Sequence, residues 1–195
     1  MLNQISCYVV NVMKENNIIH DKDFDWYVFG TEVFFITVIK YLVLFILAFI
    51  LGLFKEAIVF ILAFSSLRIQ AGGVHSESFW KCLMITNILT FASIFLVKSI
   101  PMKYIIILLP ILLIFSTILV FKYAPVDTPN KPLDQHEIKK YKKRSTATVM
   151  IGSILIIVLV TFFKTSFILN YAAIAAIGFF SEAVTLTPWV TRRKI

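Results

Sequence analysis

Long apolar stretches separated by short polar or charged segments make up most of the 195-residue chain. A helix needs about 20 apolar residues to cross the hydrocarbon core of a bilayer. The pattern predicts six apolar segments, at residues 31–54, 57–67, 79–97, 102–122, 147–163 and 166–187. The second is too short to cross unless the residues after it continue the helix, so four full spans with two partial ones is the alternative. We therefore predict an all-α, polytopic membrane bundle that forms a single domain over residues 1–195.

The first residues of the chain have a different pattern. Over residues 1–20, polar side chains alternate with apolar ones that recur at helical spacing, namely Leu2, Ile5, Tyr8, Val9, Val12 and Met13. This pattern predicts an amphipathic helix that lies at the membrane interface. We expect no removable signal peptide, because no basic region followed by an apolar run and a small-residue cleavage site begins the chain.

Composition supports a membrane protein, since 59% of the residues are hydrophobic and the mean hydropathy is +0.87. Cys7 and Cys82 are the only cysteines, which predicts no disulfide framework. The net charge of +8 could indicate a nucleic-acid partner. The basic residues lie mostly in a few loops beside the apolar segments, however, so we expect a lipid bilayer as the partner and no nucleic acid.

The distribution of these basic residues predicts orientation. They concentrate in the 122–146 loop and at the carboxyl terminus, as Lys122, Lys131, Lys139, Lys140, Lys142, Lys143, Arg144, Arg192, Arg193 and Lys194. The positive-inside rule makes both regions cytoplasmic. Six crossings then put residues 68–82 on the same side of the plasma membrane. The second half of the loop, "DQHEIKKYKKR", is compatible with a helix at the surface.

Residues 68–82 contain the side chains with the clearest potential for chemistry. His75 and Cys82 suggest thiol nucleophilic catalysis, because a thiolate is the nucleophile and a His can accept its proton. On one continuous helix these two residues would be separated by about 10 Å along the axis, beyond hydrogen-bond reach. Gly72 and Gly73 permit a bend that would fold His75 back towards Cys82.

The residues between them predict a new helix. Ser76 or Ser78 can cap a helix through "FWKCLMITNILTFASIFLV", so that Cys82 lies near its first turn, where the helix dipole favours negative charge. Lys81 adds a positive charge. The alternatives are that Cys82 is a small apolar filler and that the glycines only let two helices approach. A metal site is disfavoured because two further ligands with short spacing are missing.

The pattern "R-x-x-x-G-G-x-H-x-x-x-x-x-x-C" of Arg68, Gly72, Gly73, His75 and Cys82 resembles the signature of the accessory gene regulator B (AgrB) family. This family comprises membrane endopeptidases of Gram-positive quorum sensing. The resemblance extends to "YAPVDTPNKP" with its basic continuation, to chain length and to the hydrophobic profile over nearly all of the chain.

The resemblance implies that Cys82 is the nucleophile and that His75 activates it, with no cofactor. It also implies a substrate, an AgrD-like precursor peptide made of an amphipathic leader, a signal sequence and an acidic tail. The enzyme would cut before the tail, hold the signal segment as a thioester and pass it to an internal Cys or Ser of the peptide. A thiolactone or lactone ring would result, and a homodimer is left open.

Other residues are assigned supporting roles. Arg68 is either a cytoplasmic flank charge or a group that orients substrate or stabilises a tetrahedral intermediate. Gly72 and Gly73 support the motif. The basic residues of the loop either determine membrane topology and contact anionic lipid, or attract the acidic tail of the precursor. These residues are Lys139, Lys140, Lys142, Lys143 and Arg144.

Two charges lie within apolar segments, Lys40 and Glu182. A charge within the membrane is energetically costly, so each of these residues suggests a function. Each could instead extend its charged group to the membrane surface or pair within the bundle. We do not predict either residue as catalytic. They motivate a small transporter or channel as an alternative function, and a non-catalytic scaffold is a third reading. His20 and His136 are expected at the surface.

Overall fold

The computed structural model describes residues 2–16, 18–73, 79–126 and 134–191, and most of these residues are helical. A single 3-10 turn covers Asp21–Asp23. The α-helices are α1 (Leu2–Glu15), α2 (Phe24–Ile50), α3 (Phe54–Ala71), α4 (Phe79–Ser99), α5 (Met102–Tyr123), α6 (Gln135–Phe163), α7 (Ser166–Thr185) and α8 (Pro188–Thr191). No β-strand occurs within the described ranges, so the predicted all-α fold is confirmed.

Five of the described helices are long and apolar enough to cross a membrane, counting the 3-10 turn with α2: Asp21–Ile50, α4, α5, α6 and α7. The protein is therefore a multi-pass membrane protein. The predicted segments are recovered with shifted ends. The first begins at Phe24 rather than at residue 31, and α6 extends the 147–163 segment back to Gln135 as one continuous helix. The 122–146 loop is correspondingly shorter than predicted.

The segment predicted as short, 57–67, is the middle of the longer and unbroken helix α3, which has 18 residues. At about 1.5 Å per residue this helix is about 27 Å long, close to the thickness of a bilayer core. Of the two alternatives for the second segment, the one in which the polar residues "SSLRIQA" continue the helix is confirmed, and no break interrupts α3 between Phe54 and Ala71. The 18 residues of α3 include three charged side chains, Lys55, Glu56 and Arg68.

Two compact units divide the chain after Gly52. In the first unit, α1 packs against α2, and a small core forms around Val10, Ile19 and Val28. The predicted amphipathic helix at the amino terminus is thus confirmed as a helix. Its position at a membrane interface stays a prediction.

In the second unit, α7 is the central helix and packs against α3, α4, α5 and α6. Small residues let its neighbours approach closely. A methyl group built on Gly178 would lie 2.9 Å from the carbonyl oxygen of Phe60 and 3.1 Å from the Cβ atom of Ala63. The axes of α3 and α7 are therefore close at this point, and their side chains one to two turns further on are brought into contact.

Two contacts bring the carboxyl ends of three helices together. A backbone bridge between Gly72 and Val126 joins the end of α3 to the end of α5. An ion pair between Arg68 and Glu182 joins the last turns of α3 and α7. We call this side of the second unit the motif end, because α4 also starts here with Cys82 in its first turn.

The opposite end of this unit is fixed by a different ion pair. The ammonium group of Lys98, near the end of α4, lies 2.7 Å from a carboxylate oxygen of Glu56, near the start of α3. The remaining basic residues at this end follow from the helix order and are Lys55, Lys103 and Lys164. The larger group of basic residues thus lies at the motif end, as the charge distribution predicts, and assignment of that end to the cytoplasm stays a prediction.

Candidate active site

Cys82 is the fourth residue of α4, which begins at Phe79. Its side chain is partly buried and forms no disulfide. Its carbonyl oxygen accepts a hydrogen bond of 2.9 Å from the hydroxyl of Thr86, one turn further on. The predicted position of Cys82 in the first turn is therefore confirmed.

The other half of the proposed pair, His75, lies outside the described residues, as do the two candidate caps Ser76 and Ser78. The approach of His75 to Cys82 and the identity of the helix cap therefore stay predictions. The histidines that were expected at the surface, His20 and His136, are both exposed.

Gly72 ends α3 in a conformation that side chains rarely adopt, with φ of 74° and ψ of −145°. Its amide donates a 3.0 Å hydrogen bond to the carbonyl oxygen of Arg68, and the amide of Val126 donates a 2.9 Å bond to the carbonyl oxygen of Ala71. A methyl group on Gly72 would lie 2.8 Å from the carbonyl oxygen of Val126. Both the backbone angle and the close approach of a second chain segment therefore require glycine here.

Gly73 is required for a different neighbour. It has φ of +138°, and a methyl group at this position would lie 2.7 Å from Nη1 of Arg68 and 3.1 Å from Oε1 of Glu182. The space that a side chain would fill is thus occupied by an ion pair. The two glycines therefore do more than let two helices approach. Gly72 accommodates Val126, and Gly73 accommodates the Arg68–Glu182 pair.

The Arg68–Glu182 pair joins residues 114 positions apart in the chain. One guanidinium nitrogen, Nη1, donates to both carboxylate oxygens of Glu182, at 3.1 and 3.3 Å. The Glu182 side chain is completely buried, and the Arg68 side chain is 20% exposed. The guanidinium group also lies 5.8 Å from the centre of the Phe64 ring. A charged pair is therefore held inside an otherwise apolar crossing of α3 and α7.

This pairing is what sequence reasoning missed at the site. The expectation that Glu182 could pair within the bundle is confirmed, but the sequence alone did not identify Arg68 as its partner. A usable signal was present, because Glu182 is the only acidic residue of α7 and Arg68 the only basic residue near the carboxyl end of α3. Lys40, the other charge in an apolar segment, lies in α2 with its ammonium group 4.9 Å from the centre of the Tyr41 ring.

The first turns of α6 carry the basic residues that were predicted to meet substrate, and all five are exposed: Lys139, Lys140, Lys142, Lys143 and Arg144. At roughly 100° per residue, they spread over an arc of about 200° that leaves out the direction of the buried Ser145. We call this arc the basic face. The ammonium group of Lys142 lies 5.2 Å from the centre of the Phe121 ring near the end of α5, which fixes the basic face at the motif end.

Two acidic residues begin α6. The side chain of Asp134 accepts a 2.6 Å hydrogen bond from the amide of Glu137, and the side chain of Glu137 accepts a 3.3 Å bond from the amide of Asp134. This capping box stabilises the start of α6. The basic face begins at the fifth residue of the helix, Lys139, beyond the first turn in which the helix dipole acts.

None of the described residues form a group of three or more His, Cys, Asp or Glu side chains that could hold a metal ion. The chemistry available at the motif end is thus that of a partly buried thiol, a buried ion pair and an exposed basic surface.

Comparison with known proteins identifies a family. A sequence model of the accessory gene regulator B family matches residues 6–186. An AgrB-like protein of Clostridium perfringens strain SM101 is 32% identical over 127 residues, which cover 63% of this chain and 59% of that protein. AgrB-like protein 1 of Clostridium perfringens strain 13 is 36% identical over 131 residues, which cover 67% of each chain.

A more distant relative aligns over almost its whole length. The accessory gene regulator protein B of Staphylococcus aureus strain Newman is 27% identical over 188 residues, which cover 95% of this chain and 93% of that protein. No solved structure matches the chain. Because the family match spans nearly the entire sequence and includes the whole motif from Arg68 to Cys82, the chain belongs to the accessory gene regulator B family.

Proposed function

We propose that this protein is a membrane cysteine endopeptidase of the agr quorum-sensing system. It would remove the acidic tail of an AgrD-like precursor peptide and promote closure of the remaining signal segment into a thiolactone or lactone. The observation that carries the proposal is the family match over residues 6–186, which includes Arg68, Gly72, Gly73, His75 and Cys82. The location of Cys82 at the same end of the second unit as the glycine turn and the buried ion pair supports it.

The reaction would have two halves. In the first, the thiolate of Cys82 attacks the carbonyl carbon before the tail, the C–N bond breaks, and His75 gives the leaving amine the proton that it took from the thiol. In the second, an internal Cys or Ser of the peptide attacks the thioester carbonyl, passes its proton to His75, and releases Cys82 as the ring closes. Exclusion of water at the membrane boundary would protect the thioester from hydrolysis.

Arg68 has a role in either half. Its guanidinium group would orient a carbonyl or carboxylate of the precursor, or stabilise the negative charge of the tetrahedral intermediate. The structure supports a functional role over that of a flank charge because only 20% of the Arg68 side chain is exposed.

The basic face of α6 would attract the acidic tail. Its five positive side chains are exposed and lie at the same end of the second unit as Cys82. Contact with anionic lipid is compatible with this role, because both partners are negatively charged. We propose that the motif end faces the cytoplasm, where the precursor is made.

The test is the intact mass of the detergent-purified protein after incubation with a precursor peptide encoded by a neighbouring small open reading frame. The wild-type protein should gain the mass of the precursor minus its tail, and hydroxylamine should remove this adduct. Cys82→Ala should form no adduct. His75→Ala should form it about 10²- to 10⁴-fold more slowly, the range for loss of a general base.

Cys7→Ala is the matched control, because it removes the only other thiol, in α1 of the first unit. It should form the adduct at the wild-type rate. Absence of the adduct together with cleavage that survives Cys82→Ala would contradict the cysteine mechanism and favour a transporter or a scaffold.

A further inference from the structure

Glu182 is an acidic residue that the proposed mechanism does not use. Its side chain is completely buried, in a helix that carries no other acidic residue. We propose that Glu182 is a positioning residue, which holds the guanidinium group of Arg68 in the orientation that the reaction requires. This inference rests on the proposed function. It adds to the proposed active site a residue that lies far from the motif in sequence.

The geometry of the pair supports positioning. Nη1 of Arg68 donates to both oxygens of Glu182, at 3.1 and 3.3 Å. The backbone of Gly73 lies beside both partners, since a methyl group there would lie 2.7 Å from Nη1 and 3.1 Å from Oε1 of Glu182. The guanidinium group is thus held by a carboxylate on α7 next to the backbone that follows α3.

The energetics argue against a purely structural pair. Removing two charges from water costs several kcal/mol per ion, and apolar residues of similar volume often stabilise a protein as well or better. In a membrane bundle this cost is a reason to expect function. The pair is also less exposed than Lys98–Glu56 at the opposite end, where the two side chains are 38% and 14% exposed.

The position of the pair in the fold connects it to the motif. Gly178 is one turn before Glu182 on α7, and a methyl group there would lie 2.9 Å from the backbone of Phe60 on α3. This close crossing fixes the register of α7 against α3, and so fixes where the carboxylate of Glu182 meets Arg68. Arg68 in turn lies four residues before Gly72, the turn through which the chain leaves α3.

The test separates charge from shape at position 182. Glu182→Gln keeps the shape and removes the charge, whereas Glu182→Asp keeps the charge and shortens the side chain by one methylene group. Under the proposal, Glu182→Gln lowers kcat for tail release by about 10- to 100-fold, because displacing a reacting group by about 1 Å can cost that much, with little change in KM. Glu182→Asp should retain more activity than Glu182→Gln. The opposite order would indicate packing and overturn the proposal.

A double variant separates positioning from folding. Arg68→Gln removes the positive partner of the buried Glu182 carboxylate and should lower the thermal midpoint in detergent, whereas Arg68→Gln combined with Glu182→Gln should recover it. Cleavage by the double variant should stay at the level of Arg68→Gln. Recovery of both stability and cleavage would show a structural pair and overturn the inference.

Glu56→Gln is the matched control, because it removes the negative charge of the other ion pair in the same unit. Cleavage per folded molecule should be unchanged in this variant. Wild-type protein that forms no Cys82 adduct would overturn the proposed function and this inference with it. An adduct that forms equally fast in the wild type and in Glu182→Gln would overturn the inference alone.

Discussion

Replacement of Gly72 by alanine is the most direct perturbation of the turn between α3 and the motif. The backbone angles of this residue, φ of 74° and ψ of −145°, lie close to a region that is essentially restricted to glycine. Forcing another residue into such a region costs about 1–3 kcal/mol. The added methyl group would also lie 2.8 Å from the carbonyl oxygen of Val126, a backbone atom that cannot yield as a flexible side chain would.

The magnitude of the effect follows from this cost. The variant can relieve the strain by giving up the native turn, and with it the 2.9 Å hydrogen bond from the amide of Val126 to the carbonyl oxygen of Ala71. If only the native turn supports catalysis, a cost of about 1–3 kcal/mol lowers the rate of tail release by about 5- to 150-fold, since about 1.4 kcal/mol corresponds to a factor of ten.

The assay is the initial rate of tail release per mole of folded protein, measured together with hydrogen exchange at the amide of Val126. Gly30→Ala provides the control, because a methyl group there meets nothing within 4 Å and Gly30 lies inside α2. The control should cleave at the wild-type rate. Wild-type cleavage and full protection of Val126 in Gly72→Ala would refute the strain argument. Lost protection with wild-type cleavage would refute the link between the turn and catalysis.

Two further predictions concern the second unit. Raising the salt concentration from about 0.1 M to about 1 M shortens the Debye length from about 10 Å to about 3 Å, so KM for a precursor with an acidic tail should rise. The double variant Lys139→Gln, Lys143→Gln should weaken this salt dependence of KM. Lys103→Gln, at the opposite end of the second unit, should leave it unchanged. Gly178→Ala should lower the free energy of unfolding by about 1–3 kcal/mol, because the added methyl group would lie 2.9 Å from the backbone of Phe60 and overpack the contact. An unchanged thermal midpoint in detergent would show that α3 and α7 can separate without cost.

The helices were predictable because hydrophobic periodicity and length are local properties of the sequence. The helix boundaries were less predictable where polar residues continue a helix. The stretch "SSLRIQA" extends α3 to Ala71, and the capping box of Asp134 and Glu137 starts α6 well before its apolar part. In both cases tertiary contacts and capping, rather than hydrophobicity, determine where the helix begins or ends.

At the candidate site, the motif residues were predictable and their partners were not. Gly72 and Gly73 could be recognised as permissive positions, but not the neighbours that require them, which lie on distant parts of the chain. The pairing of Arg68 with Glu182 spans 114 residues, and no periodicity relates two such positions. Opposite charges in two apolar segments are the one local clue to a contact of this kind, because each would be costly without the other.

The helix that organises the site does not carry the motif. Within the described part of the second unit, α7 packs against α3, α4, α5 and α6, and its small residues let α3 approach closely enough for a buried carboxylate to reach Arg68. The motif itself lies on the end of α3, the start of α4 and the chain between them. A substitution on the α3-facing side of α7 should therefore impair catalysis without touching the motif, whereas an equally large change on the exposed side of the apolar part of α6, such as at Ile154, should not. This asymmetry follows from burial, because a side chain surrounded by lipid or water can move without displacing Arg68.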